Sequence, residues 1–229
     1  MFSIVVVSMR DALSRRSLIS KTLNELNLNF EFYDAVDGRS LKASLFYEKA
    51  YNSNFWFNRR SFLTPSEVGC SLSHDKVLEN FITDSPFDWL VVLEDDVDLK
   101  PSFSRAITEF CSGHDSTSFD GVAILGGQEG LKSRRLIYKA AYQEYNGVLF
   151  YSVPSICHRW VYRTCGYIIN KNSAKKVLQL KSNLNIVADD WSFIFKRAPL
   201  ENMYLTNLVV HPESLSDSSI EQERLKSKF

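Results

Sequence analysis

Trp89-Leu90-Val91-Val92-Leu93-Glu94-Asp95-Asp96-Val97-Asp98 runs from five apolar residues straight into four carboxylates. With Asp88 before it, the apolar half is too short for a buried helix. It reads as a strand covered on both faces, as in the centre of an α/β sheet. The acidic half raises a question of charge. Carboxylates this close repel one another, so the cluster needs either solvent or a cation. In open α/β sheets ligands gather outside the carboxyl ends of the strands, which is where these residues would sit. Hard divalent ions such as Mg²⁺ or Mn²⁺ take carboxylate oxygens and complete their shell with water and substrate phosphates. A solvated acidic loop is the plain alternative. Two registers overlap, Glu94-Asp95-Asp96 and Asp96-Val97-Asp98. The first lies nearer the strand end, and Asp96 belongs to both, which makes it the leading metal ligand.

Working outward, strands and helices alternate. Residues 2–7 form an apolar strand. Leu18, Ile19, Leu23 and Leu26 recur at helical spacing, and Phe30 and Phe32 alternate in a second strand that ends in the Asp37-Gly38 turn. Residues 40–62 are aromatic and irregular. Thr64-Pro65-Ser66-Glu67 then offers an N-cap, a proline at the first helical position and a glutamate at the third, which together make a capping box. Val68, Leu72, Leu78, Phe81 and Ile82 supply that helix's apolar stripe. Gly69, Cys70 and Ser73 make a small-residue face suited either to tight packing or to a ligand. Further strands read at 121–125, before Gly126-Gly127, at 167–169 and at about 203–210, with a helix over 173–180. Residues 128–160 show no clear period. The pattern predicts an α/β fold, and with neither repeats nor a low-complexity linker the chain reads as a single domain over 1–229.

Composition narrows the function. The 229 residues and 26.3 kDa suffice to bury roughly 70% of the extended chain's surface. Lys+Arg and Asp+Glu are both 27, so no net basic charge drives general nucleic-acid binding. Cys70, Cys111, Cys157 and Cys165 form no C-x-x-C pair and no zinc-type Cys/His spacing, and read as reduced thiols of a cytoplasmic protein. The apolar start lacks a basic region and is too short for a signal segment. No run approaches the ~20 apolar residues of a membrane span.

Other residues carry chemistry by type. Asp189-Asp190 precedes Trp191 and an apolar run; a carboxylate there could serve as a general base or as a helix N-cap, and the spacing favours the cap. His74 reads as a hydrogen-bonded, half-buried histidine. His211, at a strand end before Pro212, is of a type that can complete a metal shell. Arg10, Arg15 and Arg16 follow the first strand, where they suit either solvent or phosphates.

Five ordered segments together resemble glycosyltransferase family 25, which includes lipooligosaccharide galactosyltransferases and glucosyltransferases of Gram-negative bacteria. They are Ile4-Val5-Val6-Val7-Ser8 with Arg15-Arg16, Phe30-Glu31-Phe32-Tyr33-Asp34-Ala35, Glu67-Val68-Gly69-Cys70-Ser71-Leu72-Ser73-His74, Leu93-Glu94-Asp95-Asp96-Val97, and Gly166-Tyr167-Ile168-Ile169 with Ser173-Ala174. Weaker likeness continues through Asp190 and Ser219-Ile220.

The resemblance implies a GT-A-like, Rossmann-type mixed sheet flanked by helices. Residues 1–125 would be its nucleotide-sugar half and 126–229 its acceptor and catalytic half. It further implies a UDP-sugar donor, galactose before glucose, an oligosaccharide or lipid-linked glycan acceptor, and Mn²⁺ or Mg²⁺. Glu94, Asp95 and Asp96 would hold the metal and the donor, with Ser8, Arg10, Arg15 and Asp34 near the uridine and phosphates. Ser73 and His74 would line the donor site, and Asp190 would be the base, with Asp189 its unresolved neighbour. The setting implied is cytoplasmic, in peripheral contact with the inner face of the inner membrane. The chain departs from its relatives at Val161-Tyr162-Arg163-Thr164, where they tend to carry a small Gly-Thr pair.

Two rival readings come from other classes. A metal-dependent phosphoryl-transfer domain would share the acidic strand end, but it needs a further strand-end aspartate, and residues 133–160 contain none. A non-catalytic sugar-nucleotide-binding protein would leave the acidic loop merely solvated.

Overall fold

A computed structural model describes residues 1–54, 60–212 and 219–226; positions 55–59, within the unassigned 40–62 stretch, and the side chain of Ser219 lie outside that description. The elements along the chain are β1 (Phe2–Ser8), α1 (Leu13–Glu25), β2 (Glu31–Asp34), α2 (Ala43–Ala50), α3 (Pro65–Thr83), β3 (Trp89–Glu94) and β4 (Asp98–Leu99). They continue with α4 (Phe103–Gly113), β5 (Gly121–Gly126), β6 (Tyr142–Tyr145), β7 (Val148–Ser152), β8 (Gly166–Asn170), α5 (Lys171–Lys181), α6 (Trp191–Arg197), β9 (Asn202–Val210) and α7 (Ser219–Lys226). The strands form one sheet in the order β2-β1-β3-β8-β5-β9-β7-β6, with β4 paired to β9. β1 runs parallel to β2 and β3, whereas β8 is antiparallel to both β3 and β5. The architecture is therefore mixed α/β, as the alternating pattern predicts. The 1–125 and 126–229 halves interleave, because β8 of the second half sits between β3 and β5 of the first.

β3 explains the two-sided core. Leu90 and Val92 face a layer that includes Val77, Leu78 and Phe81 of α3, Val177 of α5 and Ile194 of α6. Trp89, Val91 and Leu93 face the opposite layer, with Ile19 and Leu23 of α1 and Phe103, Ile107 and Phe110 of α4. The period of two puts alternate side chains on opposite faces, so a strand covered by helices on both sides must be apolar throughout.

α3 begins as its sequence demands. The Thr64 hydroxyl accepts from Glu67 N–H, while Glu67 Oε2 accepts from Thr64 N–H at 2.8 Å. At Gly69 and Ser73 its small-residue face packs against the chain, while Cys70 borders a cleft. A Cβ on Gly69 would come within 2.4 Å of the Val36 carbonyl oxygen, and Ser73 Oγ accepts from Val36 N–H at 2.8 Å while donating to the Gly69 carbonyl at 2.7 Å.

Candidate active site

Three strand registers assemble the site. Val7 lies beside Glu94 across β1 and β3, which brings Ser8 next to Asp95. Leu93 lies beside Gly166 across β3 and β8, and Glu94 N–H donates to the Cys165 carbonyl, which brings Thr164 beside the Glu94 side chain. The short β4 pairs Asp98 with Val210 of β9, and that pairing carries His211 to the loop holding Asp96. The result is a cleft of about 600 Å³ at the carboxyl end of the sheet, lined by Glu94, Asp95, Asp96, His211, Asp189 and Asp190, among others.

The three carboxylates after β3 have different fates. Asp95 is buried and turned inward; its Oδ2 accepts from Ser8 Oγ at 2.6 Å, and Arg15 Nη1 stands 3.5 Å from Oδ1. Burial raises its pKa, with Ser8 and Arg15 opposing. Glu94 Oε1 accepts from Thr164 Oγ1 at 2.6 Å and lies 3.7 Å from His74 Nε2. Burial disfavours its charged form, yet the imidazole of His74 and the Thr164 hydroxyl hold its pKa below the usual range. Asp96 has no such support. Its buried Oδ1 makes no hydrogen bond, and its Oδ2 lies 3.8 Å from His211 Nε2. Burial first, and the Glu94 charge second, push its pKa up to about 6.

One ligand atom from each of Glu94, Asp96 and His211 lies within 4.8 Å of the others. His211 Nδ1 is 2.8 Å from the Pro212 carbonyl, which can only accept, so Nδ1 donates there and Nε2 is the nitrogen on the Asp96 side, available to ligate. Two carboxylates, an oriented imidazole and an orphaned buried oxygen fit a divalent cation such as Mn²⁺ or Mg²⁺.

Asp190 does what its spacing favours. It caps α6, accepting from Phe193 N–H at 3.3 Å on Oδ1, and it accepts from Asn54 Nδ2 at 2.6 Å on Oδ2. Asp189 Oδ2 accepts from Arg163 N–H at 2.9 Å, and burial raises its pKa despite that bond. Arg163 sits at φ +70°, the left-handed region where glycine is at ease. Arg163 is held in place by Asp189, by Trp191 Nε1 donating to its carbonyl at 3.0 Å, and by its own Nη1 donating to the Gly127 carbonyl at 2.8 Å.

Ser8, Arg15, Ser73 and His74 also border the cleft. The Ser8 hydroxyl is taken by Asp95, and that of Ser73 by the backbone around it. Arg10 is exposed and Asp34 is exposed, and neither lines the cleft. Asp34 instead accepts from Arg16 Nη2 at 2.5 Å while the same guanidinium donates to the Ser8 carbonyl at 2.8 Å, so Arg16 brackets the ends of β1 and β2. Residue spacing did not single out Thr164 as a partner of Glu94, nor Arg60, Glu67 and Arg224, which form part of the cleft wall. Arg60 donates to both Glu67 oxygens, at 2.6 and 3.1 Å, and Arg224 Nε donates to Glu67 Oε1 at 2.8 Å.

An α/β sheet with a cleft and paired carboxylates at its strand ends is the architecture of enzymes that bind ligands at that edge. The family model described as Glycosyltransferase family 25 (LPS biosynthesis protein) matches residues 1–192, and the chain belongs to that family. A glycosyltransferase 25 family member of Aedes aegypti is 26% identical over 196 residues, 82% of this chain and 29% of the relative. A Haemophilus influenzae protein whose name assigns it to the glycosyltransferases is 24% identical over 241 residues, 96% of this chain and 75% of its own length. Procollagen galactosyltransferase 2 of Mus musculus is 27% identical over 184 residues, 76% of this chain. The chain spans 27% of that mouse protein's length. Among solved structures, a glycosyltransferase involved in glycosylation of the major capsid of PBCV-1 gives a TM-score of 0.43 at 12% identity, covering 98% of each chain. No described helix is long and apolar enough to cross a membrane.

Proposed function

We propose that the protein transfers a hexose, galactose before glucose, from a UDP-sugar to a hydroxyl of an oligosaccharide or lipid-linked glycan, with inversion, in lipopolysaccharide or lipooligosaccharide synthesis. The observation that carries this is the meeting of Glu94, Asp96 and His211 on one wall of a cleft whose lining also includes Asp189. Glu94, Asp96 and His211 would hold Mn²⁺ or Mg²⁺, which when bound neutralises the charge of a departing diphosphate. The acceptor hydroxyl must lose a proton as it attacks the anomeric carbon, and one carboxylate on the face opposite the leaving group suffices. We assign that role to Asp189, which lines the cleft, accepts a backbone N–H on Oδ2, and is favoured by burial to take a proton. Asp190 holds the turn through its cap. Family membership and the procollagen galactosyltransferase relative support the sugar chemistry. The setting we infer is cytoplasmic, in peripheral contact with the inner membrane face.

Thermal-shift titration with UDP, with and without Mn²⁺, tests the reading. At a hundredfold excess over Kd, bound ligand stabilises by about 2.7 kcal/mol, or roughly 5–10 °C for a chain of this size. A shift that needs Mn²⁺ and disappears in Asp96→Asn supports the proposal, as does slow hydrolysis of one UDP-sugar from a panel. Equal UDP stabilisation in EDTA and Mn²⁺ overturns the metal assignment.

A further inference from the structure

We propose that Cys70, His74 and Glu94 form a second cation site, distinct from the Glu94, Asp96 and His211 set and suited to a thiophilic ion of the zinc class. One ligand atom from each lies within 4.8 Å of the other two. The cysteine spacings alone announce no zinc site, yet Cys70 and His74 are four residues apart on α3, so the helix presents both on one face, as i, i+4 metal ligands require. Glu94 approaches from the end of β3, so the ligands stand on two regular elements of the core.

An independent observation points to a ligand. His74 is 4% exposed, yet its Nε2 makes no hydrogen bond and lies 3.7 Å from Glu94 Oε1. Its other nitrogen, Nδ1, is 3.0 Å from Tyr167 Oη. When Nδ1–H donates to that oxygen, Nε2, which in the free protein stands beside Glu94 Oε1, can turn its lone pair to a cation, and Tyr167 gives the second-layer support that ligating histidines usually have. A thiolate, an imidazole and a carboxylate make a donor set for zinc, bound at about 2.0–2.3 Å with a fourth position open toward the cleft. A purely oxygen-liganded ion is the poorer match, because sulfur ligands select softer metals. In the free protein burial and the nearby Glu94 charge keep the Cys70 thiol protonated. Binding therefore forms the sulfur–metal bond as the thiol proton leaves to solvent. Because Glu94 belongs to both sets, zinc in this site would oppose Mn²⁺ in the other. That consequence for turnover rests on the transferase reading; the site itself does not.

Cobalt(II) serves as the probe on the intact chain. A near-ultraviolet thiolate-to-cobalt band that saturates at about one equivalent and is bleached by zinc is expected. The band should vanish in Cys70→Ser and in Cys70→Ala, the second variant guarding against misfolding of the first, and persist in Cys165→Ser. Tyr167→Phe, which removes only the second-layer partner, should weaken cobalt binding about tenfold or more. No band in the wild-type protein, or a band that survives loss of the Cys70 thiol, overturns the site. Either result can be told apart from failure of the transferase reading, because the spectrum requires neither UDP nor turnover.

Discussion

Two acidic regions face the same cleft, and they are built in opposite ways. At Glu67 the carboxylate is buried and saturated. Arg60 grips both oxygens, Arg224 adds a third contact and Thr64 N–H a fourth. At Asp96 the carboxylate is half-buried beside another acid, with its buried Oδ1 left unpaired. Burying a charge is unfavourable unless partners replace the lost water. Glu67 has its partners within the protein, and so reads as architecture; it ties α7 to the start of α3. Asp96 lacks them, and so reads as a place where something else must bind.

The sharpest break of that contrast is at Asp96. Asp96→Asn should lower UDP-sugar hydrolysis by about a hundredfold or more while leaving the melting temperature unchanged or slightly raised, since it removes a charge repelled by Glu94. A strong fall in melting temperature with activity retained would make Asp96 structural. Next in size is Glu67→Gln, expected to cost about 2–3 kcal/mol because it leaves Arg60 and Arg224 without their carboxylate, read as a drop of roughly 5–10 °C. Mn²⁺ affinity should not follow it.

The pH dependence of stability sharpens the same point. Although burial opposes it, Arg60, Thr64 N–H and Arg224 hold the Glu67 pKa below its ordinary value. Its contribution is thus complete above the unfolded-state value of about 4.3 and is lost as pH falls toward the folded one. Acid titration followed by circular dichroism should show a steeper loss below that pH in the wild type than in Glu67→Gln. The smallest effect belongs to Arg163→Gly. Relief of the φ +70° backbone, worth about 1 kcal/mol, is offset by loss of the Arg163 bond to the Gly127 carbonyl, so stability should move by less than about 1 kcal/mol.

What was legible in the sequence follows physical lines. β3, the α3 capping box and the Asp190 cap were readable because each depends on neighbours a few residues away. The grouping of Asp96 with His211 was readable by residue type, although the β4 to β9 pairing that produces it was not, since β4 is only two residues long. The β6–β7 hairpin went unassigned in a stretch without helical or strand period. Its signal was Asn146-Gly147, whose φ values of 48° and 76° fit a two-residue turn with both residues left-handed. The spacing of Phe103, Ala106, Ile107 and Phe110 is the signal of α4, although no side-chain cap marks its start. The ties from Arg60 and Arg224 to Glu67 and from Thr164 to Glu94 span charges or hydroxyls distant in sequence, and no local pattern announces them.

The placement of β8 has a consequence for synthesis. A ribosome delivers β1, β2, β3 and β5 well before residues 166–170, and until then Leu90–Leu93 present an unpaired apolar edge on the β8 side. Folding of the cleft floor must therefore wait for a late strand to slot between early ones, which favours slow closure and calls for protection from aggregation in the interval.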